Sequence, residues 1–213
     1  FGVFGEIKVN VTDALSLTAG GRWTKEEKSI DIGILGSCEL DFSSCTNNAS
    51  NEKDWSNFSP KVSAQYQFTD DMMAYASWTR GFASGVFNAR AATLDAVGPT
   101  NPESVDSLEV GFKTSFLDGR GIFNIAYFQA DYEDLILFVN NPCDDCGASL
   151  INFNAGEAEI SGFEAEVQLQ PVDGLRLEAS IGTVDPEFTN IKYFDANADG
   201  VVDSKDNALA STW

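Results

Sequence analysis

The side-chain oxygens of Asp195, Asn197, Asp199, Asp203 and Asp206 stand at positions 1, 3, 5, 9 and 12 of one short stretch. Gly200 falls at position 6, and Val201 offers a main-chain carbonyl at position 7. This is the spacing of an EF-hand-type loop, which curls six to eight hard oxygen ligands around one calcium ion. Asp206 replaces the usual glutamate, and the flanks lack the periodicity of paired helices. The prediction is a calcium-ordered loop, set against a plain acidic, solvated loop of Asx turns. Two cysteine pairs follow a second pattern: Cys38 with Cys45, and Cys143 with Cys146. Local pairs in long polar segments suit structural disulfides in an oxidising compartment. A cross-loop pairing, redox chemistry or half a zinc site stays open. Glu164 and Glu166 share one face of a strand, as a catalytic carboxylate pair would. The simpler reading is a polar lining. The sequence contains no histidine, which removes His-based triads and His-ligated zinc or haem. No nucleophile elbow, phosphate loop or dinucleotide fingerprint appears, and the chain reads as a non-enzyme.

The elements that carry these residues are strands. The 213 residues include 33 acidic and 13 basic side chains, for a formal net charge of −20. That balance argues against nucleic acid as a partner, because phosphate binding needs clustered Lys and Arg. Hydrophobic residues make up 43% of the chain, so it is not a disordered acidic tail. No run approaches the ~18 apolar residues of a membrane helix. Period-two alternation dominates instead. Leu15, Leu17, Ala19 and Trp23 oppose Ser16, Thr18, Gly20 and Arg22. The same pattern recurs over residues 58–68, 107–116, 163–170 and 175–182. Three further segments, 1–11, 72–82 and 121–138, read as strands less cleanly, for about eight in all.

The connections alternate in length. Short turns with Asp or Gly chemistry fall at 12–14, 69–71, 117–120 and 171–174. Long polar connections fall near 31–56, 83–102, 139–152 and 185–213. Short turns on one side and long loops on the other describe an outer-membrane β-barrel. Its strands must leave no main-chain group unpaired in lipid. Alternation over ten or more residues exceeds the ~5–6 residues of an average soluble strand. Tyr66, Phe68 and Phe116 beside the short turns suit an interfacial aromatic girdle. The charged residues Glu6, Lys8, Arg22, Lys61, Glu109, Lys113, Glu164, Glu166, Arg176 and Glu178 must then face the lumen. Trp55, Phe82, Phe87 and Phe194 either meet a ligand or pack the loops together.

Several segments resemble one family. Tyr75-Ala76-Ser77-Trp78-Thr79-Arg80-Gly81-Phe82, continuing to Gly85-Val86-Phe87-Asn88, is the first. The second is Pro102-Glu103 followed by Leu108-Glu109-Val110-Gly111-Phe112-Lys113. Phe128, Asp131, Tyr132 and Asp134 come between it and the last, Asn154-Ala155-Gly156-Glu157-Ala158 with Gly162-Phe163-Glu164-Ala165-Glu166. In type, order and spacing they resemble the barrel domain of TonB-dependent outer-membrane receptors. The resemblance implies an all-β, antiparallel up-and-down transmembrane barrel, of which this chain carries about eight of 22 strands. It implies uptake of a scarce nutrient across a Gram-negative outer membrane, of siderophore, cobalamin or glycan type. The implied partners are outer-membrane lipid, the remaining barrel strands, a plug domain in the lumen, an inner-membrane energy-transducing complex and a small-molecule or glycan ligand. No plug lies within 1–213, and only seven residues follow Asp206, so an internal piece of such a barrel is expected. The competing expectations are a soluble, calcium-stabilised extracellular β domain with a structural or adhesive role, and a self-contained eight-strand barrel.

Overall fold

A computed structural model describes residues 1–33, 48–91, 94–143 and 147–191. These form eight strands: β1 (Gly2–Asn10), β2 (Leu15–Gly33), β3 (Asn48–Thr69), β4 (Met72–Ala83), β5 (Glu103–Phe116), β6 (Gly121–Cys143), β7 (Gly147–Val172) and β8 (Leu175–Ile191). Each strand pairs antiparallel with the next in one sheet, ordered β1 to β8. The register joins β1 to β2 and β7 to β8 but leaves β1 and β8 as edges, so the expected self-contained eight-strand barrel is not formed. The single helical turn among the described residues is a 3-10 turn at Asp95–Val97.

Local chemistry closes the four short turns, all at one end of the sheet. The Thr12 hydroxyl accepts hydrogen bonds from the Ala14 and Leu15 amides at 3.2 and 2.9 Å. Leu117, Asp118 and Gly119 adopt positive φ, as does Gly174. At the other end the ladders run beyond the apolar alternation. The β2–β3 ladder continues to Gly33 opposite Asn48, and the β6–β7 ladder to Cys143 opposite Gly147. Much of 31–56 and 139–152 is therefore hairpin arm rather than irregular loop. Main-chain pairing needs no apolar side chain, so these polar stretches extend the sheet without an apolar signature.

The register sorts the side chains onto two faces. On one face, Ala74, Phe112, Ile125, Ala165 and Ile181 are successive cross-strand neighbours. Ile181 is 71% exposed, Phe58 59% and Phe163 56%. Large side chains bared in this way have lipid as their solvent, and the soluble extracellular domain expected as the alternative is set aside. The apolar stretch of β5, Leu108–Phe116, has the length of one crossing, ~9–11 residues. Above it the same face turns charged: Arg80, Asp106, Asp131, Glu159 and Glu187 are successive neighbours across β4–β8. Arg80 is bridged to Asp106 at 3.5 Å and to Glu133 at 3.4 Å. On β2 the outward apolar run ends at Trp23, and Lys25 beyond it pairs with Asp54 at 3.0 Å. That hydrogen bond holds the Asp54 carboxyl below its ordinary pKa and raises that of Lys25. The charged rows mark the upper edge of the membrane belt. The opposite face carries the polar set, with Lys61 bridged to Glu6 at 3.1 Å and Lys8 donating to Gln65 at 3.2 Å.

Candidate functional site

Two features of the inner face have the geometry of a functional surface. The first is a groove of about 540 Å³ across β4–β8. Tyr75, Glu109, Lys113, Glu164 and Glu166 supply its chemistry. Strand pairing places them: Tyr75 stands opposite Gly111, whose missing side chain lets the phenol ring lie across β5. The Tyr75 hydroxyl donates to Glu109 Oε1 at 2.6 Å. Lys113 Nζ lies 5.4 Å from the same ring centroid, in cation–π range. Glu166 accepts from Gln168 Nε2 at 2.6 Å and from Asn124 Nδ2 at 3.4 Å. Glu164 and Glu166 do share this face, with amides rather than a nucleophile beside Glu166. Three carboxylates in the groove face one ammonium, so its field is negative. Such a surface suits a cationic partner and repels a bare anion.

The second feature is one that sequence reasoning missed. Residues 84–91 and 94–102, between β4 and β5, fold inward as a strap. Its first leg seats on β2 and β3. Ser84 Oγ donates to Glu26, and Lys28 Nζ donates to the Gly85 carbonyl at 2.9 Å while lying 5.7 Å over the Trp55 ring. Trp55, 6% exposed, meets Phe87 edge-on at 6.2 Å. These two aromatics therefore pack the loop. Gly85 is required here because a Cβ would lie 2.1 Å from the Thr100 carbonyl and 2.9 Å from Trp55. Thr100 closes on Val86 twice, its amide donating to the Val86 carbonyl at 2.9 Å and its hydroxyl accepting from the Val86 amide at 2.9 Å.

The middle and exit of the strap dock on β6 and β7. Asn88 Nδ2 donates to the carbonyls of Ala96 and Asn152, and Asn88 Oδ1 accepts from the Asn152 amide. Asn154 Oδ1 accepts from Asn101 N at 2.7 Å, and its Nδ2 donates to the carbonyls of Asn101 and Asp134. Glu103 accepts from the Ile136 amide. The β6–β7 register shifts between Tyr132 and Ile136, with Asp134 at φ 55°. A bulge leaves main-chain groups unpaired, and these polar side chains satisfy them. The available signal was the set of motif residues themselves: Asn88, Glu103 and Asn154 all stand in the resemblance segments, without an assigned role.

The proposed calcium ligands Asp195, Asn197, Asp199, Val201, Asp203 and Asp206 lie outside the described residues. So do Cys38, Cys45, Cys146 and Phe194; of Cys143, the main chain ends β6. Phe82 lies within β4, opposite Ser104. No group of three or more His, Cys, Asp or Glu is placed to hold a metal among the described residues.

The family model for the TonB dependent receptor-like β-barrel matches residues 1–212. The ferric-pyoverdine M114 receptor PbuA of Pseudomonas sp. strain M114 is 27% identical over 207 residues, covering 95% of this chain and 23% of that protein. Among solved structures, the ferric yersiniabactin uptake receptor FyuA from Yersinia pestis superposes with a TM-score of 0.73 at 18% identity, covering 90% of this chain and 27% of that one. The ferripyoverdine receptor of the Pseudomonas aeruginosa outer membrane, bound to ferripyoverdine, superposes with a TM-score of 0.63 at 22% identity, covering 90% and 23%. The chain spans about a quarter of the length of these relatives.

Proposed function

Because the chain belongs to the TonB-dependent receptor β-barrel family, we propose that it forms part of the wall and vestibule of a receptor for energy-dependent uptake of a ferric siderophore. Membership makes it an outer-membrane β-barrel chain. The family's members are receptors and transporters rather than enzymes. One observation carries the ligand class: the relative aligned over 95% of the chain is a ferric-pyoverdine receptor. The partners follow from chemistry. The outward apolar face meets lipid, and the edges β1 and β8 pair with further strands. The acidic groove around Glu109, Glu164 and Glu166 meets cationic groups of a plug domain. The plug in turn is driven by an inner-membrane energy-transducing complex.

The test uses the full-length receptor as the sole importer of its class in whole cells. Saturable uptake of iron supplied as ferripyoverdine or a ferric catecholate, lost on collapse of the proton gradient, is the expected result. Saturable uptake of cobalamin or an oligosaccharide, with none of any ferric chelate, would overturn the ligand class.

We further propose that residues 195–206 bind calcium and order the connection after β8, and that the cysteines form two local disulfides. Calorimetry of the purified full-length receptor is expected to show one saturable site at or below millimolar calcium, lost in Asp199→Ala. Heat release unaffected by that substitution would remove the assignment.

A further inference from the structure

The strap has a core of its own. Among the described residues, every buried side chain belongs to the strap or to the strands where it docks. Val97 is wholly buried, and Ser84, Asn88, Ala91 and Thr100 are nearly so. Trp55 on β3 and Ile151 and Ala155 on β7 complete the set. A segment with buried side chains and satisfied main-chain groups opens far less readily than a solvated loop tip. Its anchors also lie far apart in the sheet. Glu26, Lys28 and Trp55 hold one leg on β2 and β3, while Asn152 and Asn154 hold the other on β7. The strap therefore bridges the β2–β3 and β6–β7 arms, beyond the paired ends of β4 and β5.

One residue ties these parts together. The Asn88 amide donates to the Val97 carbonyl at 2.7 Å, closing the strap on itself. Its carboxamide reaches Ala96 within the strap and both main-chain groups of Asn152 on β7. The side chain thus pairs with Asn152 as a neighbouring peptide group would, giving one donor and one acceptor. Aspartate offers only the acceptor, and alanine offers neither. Ala89, Leu94 and Pro99 are exposed on the strap.

We propose that residues 84–91 and 94–102 form a shelf of the ligand vestibule that is folded before ligand arrives, and that Asn88 is the positioning residue that sets it. Asn88 does not touch the ligand. Its effect on capture rests on the ferric-siderophore reading above, whereas the folding of the shelf does not.

The experiment uses the full-length receptor in outer membranes, with Ala91→Cys as a reporter because Ala91 is 7% exposed. The receptor without that substitution gives the labelling background. The reporter thiol is expected to resist a membrane-impermeant maleimide equally with and without ferripyoverdine. Adding Asn88→Ala is expected to speed labelling about tenfold or more. In uptake, Asn88→Ala is expected to raise apparent KM about tenfold with the maximal rate within about twofold. Asn88→Asp, which keeps the acceptor, falls between. A general folding defect would instead lower the amount of heat-modifiable barrel and the maximal rate. Ready labelling of the reporter alone, or labelling that ferripyoverdine suppresses, would overturn the prefolded shelf. An unchanged KM, or a loss confined to maximal rate, would overturn the positioning role. If no ferric chelate is taken up, the siderophore reading fails while the labelling still judges the shelf.

Discussion

Ile125→Lys is expected to destabilise the folded barrel by about 2–4 kcal/mol, while Asn124→Lys, one residue earlier, changes stability by less than about 1 kcal/mol. The contrast follows from the strand period of two. Ile125 sits mid-belt on the outward face, between Phe112 of β5 and Ala165 of β7. A lysine there would place an ammonium near the bilayer midplane, with only hydrocarbon to solvate it. Asn124 projects inward and already donates to Glu166 at 3.4 Å. A lysine at that site meets a carboxylate in a wet, acidic groove. A difference of about 3 kcal/mol is roughly a hundredfold in the folding equilibrium. Urea unfolding of the full-length receptor in lipid vesicles reads it directly. The reverse result, with position 125 tolerant and position 124 sensitive, would mean that the two faces have been assigned the wrong way round.

The same period explains what the sequence disclosed. Leu15, Leu17, Ala19 and Trp23 announce β2 because each must face lipid while its neighbours face water. The turns announce themselves through Thr12, Asp118, Gly119 and Gly174, whose side chains or positive φ values close tight hairpins. What alternation cannot announce is a strand that leaves the membrane. Residues 48–56 and 147–152 are strand although the sequence there follows no apolar alternation, because main-chain pairing carries the ladder on.

The site was legible to a different degree. Inner-face charges follow once the outward face is known, so the groove around Glu109 and Glu164 came with the strands. The strap did not, because its stability lies in contacts between residues distant in sequence. Asn88 meets Asn152 across 64 positions, and Lys28 meets Gly85 across 57. No local propensity encodes such pairs. Trp55 shows the consequence: its type fits both a ligand-stacking ring and a packing ring, and only its burial against Phe87 decides between them.

Gly162→Ala is expected to cost about 1–3 kcal/mol, the range for forcing an added methyl into a filled site. Gly162 lies in β7 opposite Phe128 of β6 and Val184 of β8. A Cβ there would lie 2.0 Å from the Thr183 carbonyl oxygen and 2.7 Å from the Phe128 ring. The ring can rotate away, but the carbonyl belongs to the β8 main chain. Thr183 also holds that stretch in place, its hydroxyl accepting from the Phe163 amide at 3.2 Å. Relief therefore requires the β7–β8 ladder to part locally, which gives up main-chain hydrogen bonds of the barrel wall. Gly182→Ala on the adjoining strand is the control. Its nearest neighbours would lie 3.8 Å or more from the new methyl, so it is expected to be neutral or stabilising by up to about 1 kcal/mol through lost backbone freedom in the unfolded chain. Thermal unfolding of the two full-length variants by heat-modifiability compares them on one gel. Equal midpoints would show that β8 yields freely at Thr183, and that the glycine is not there to admit the close approach of the two strands.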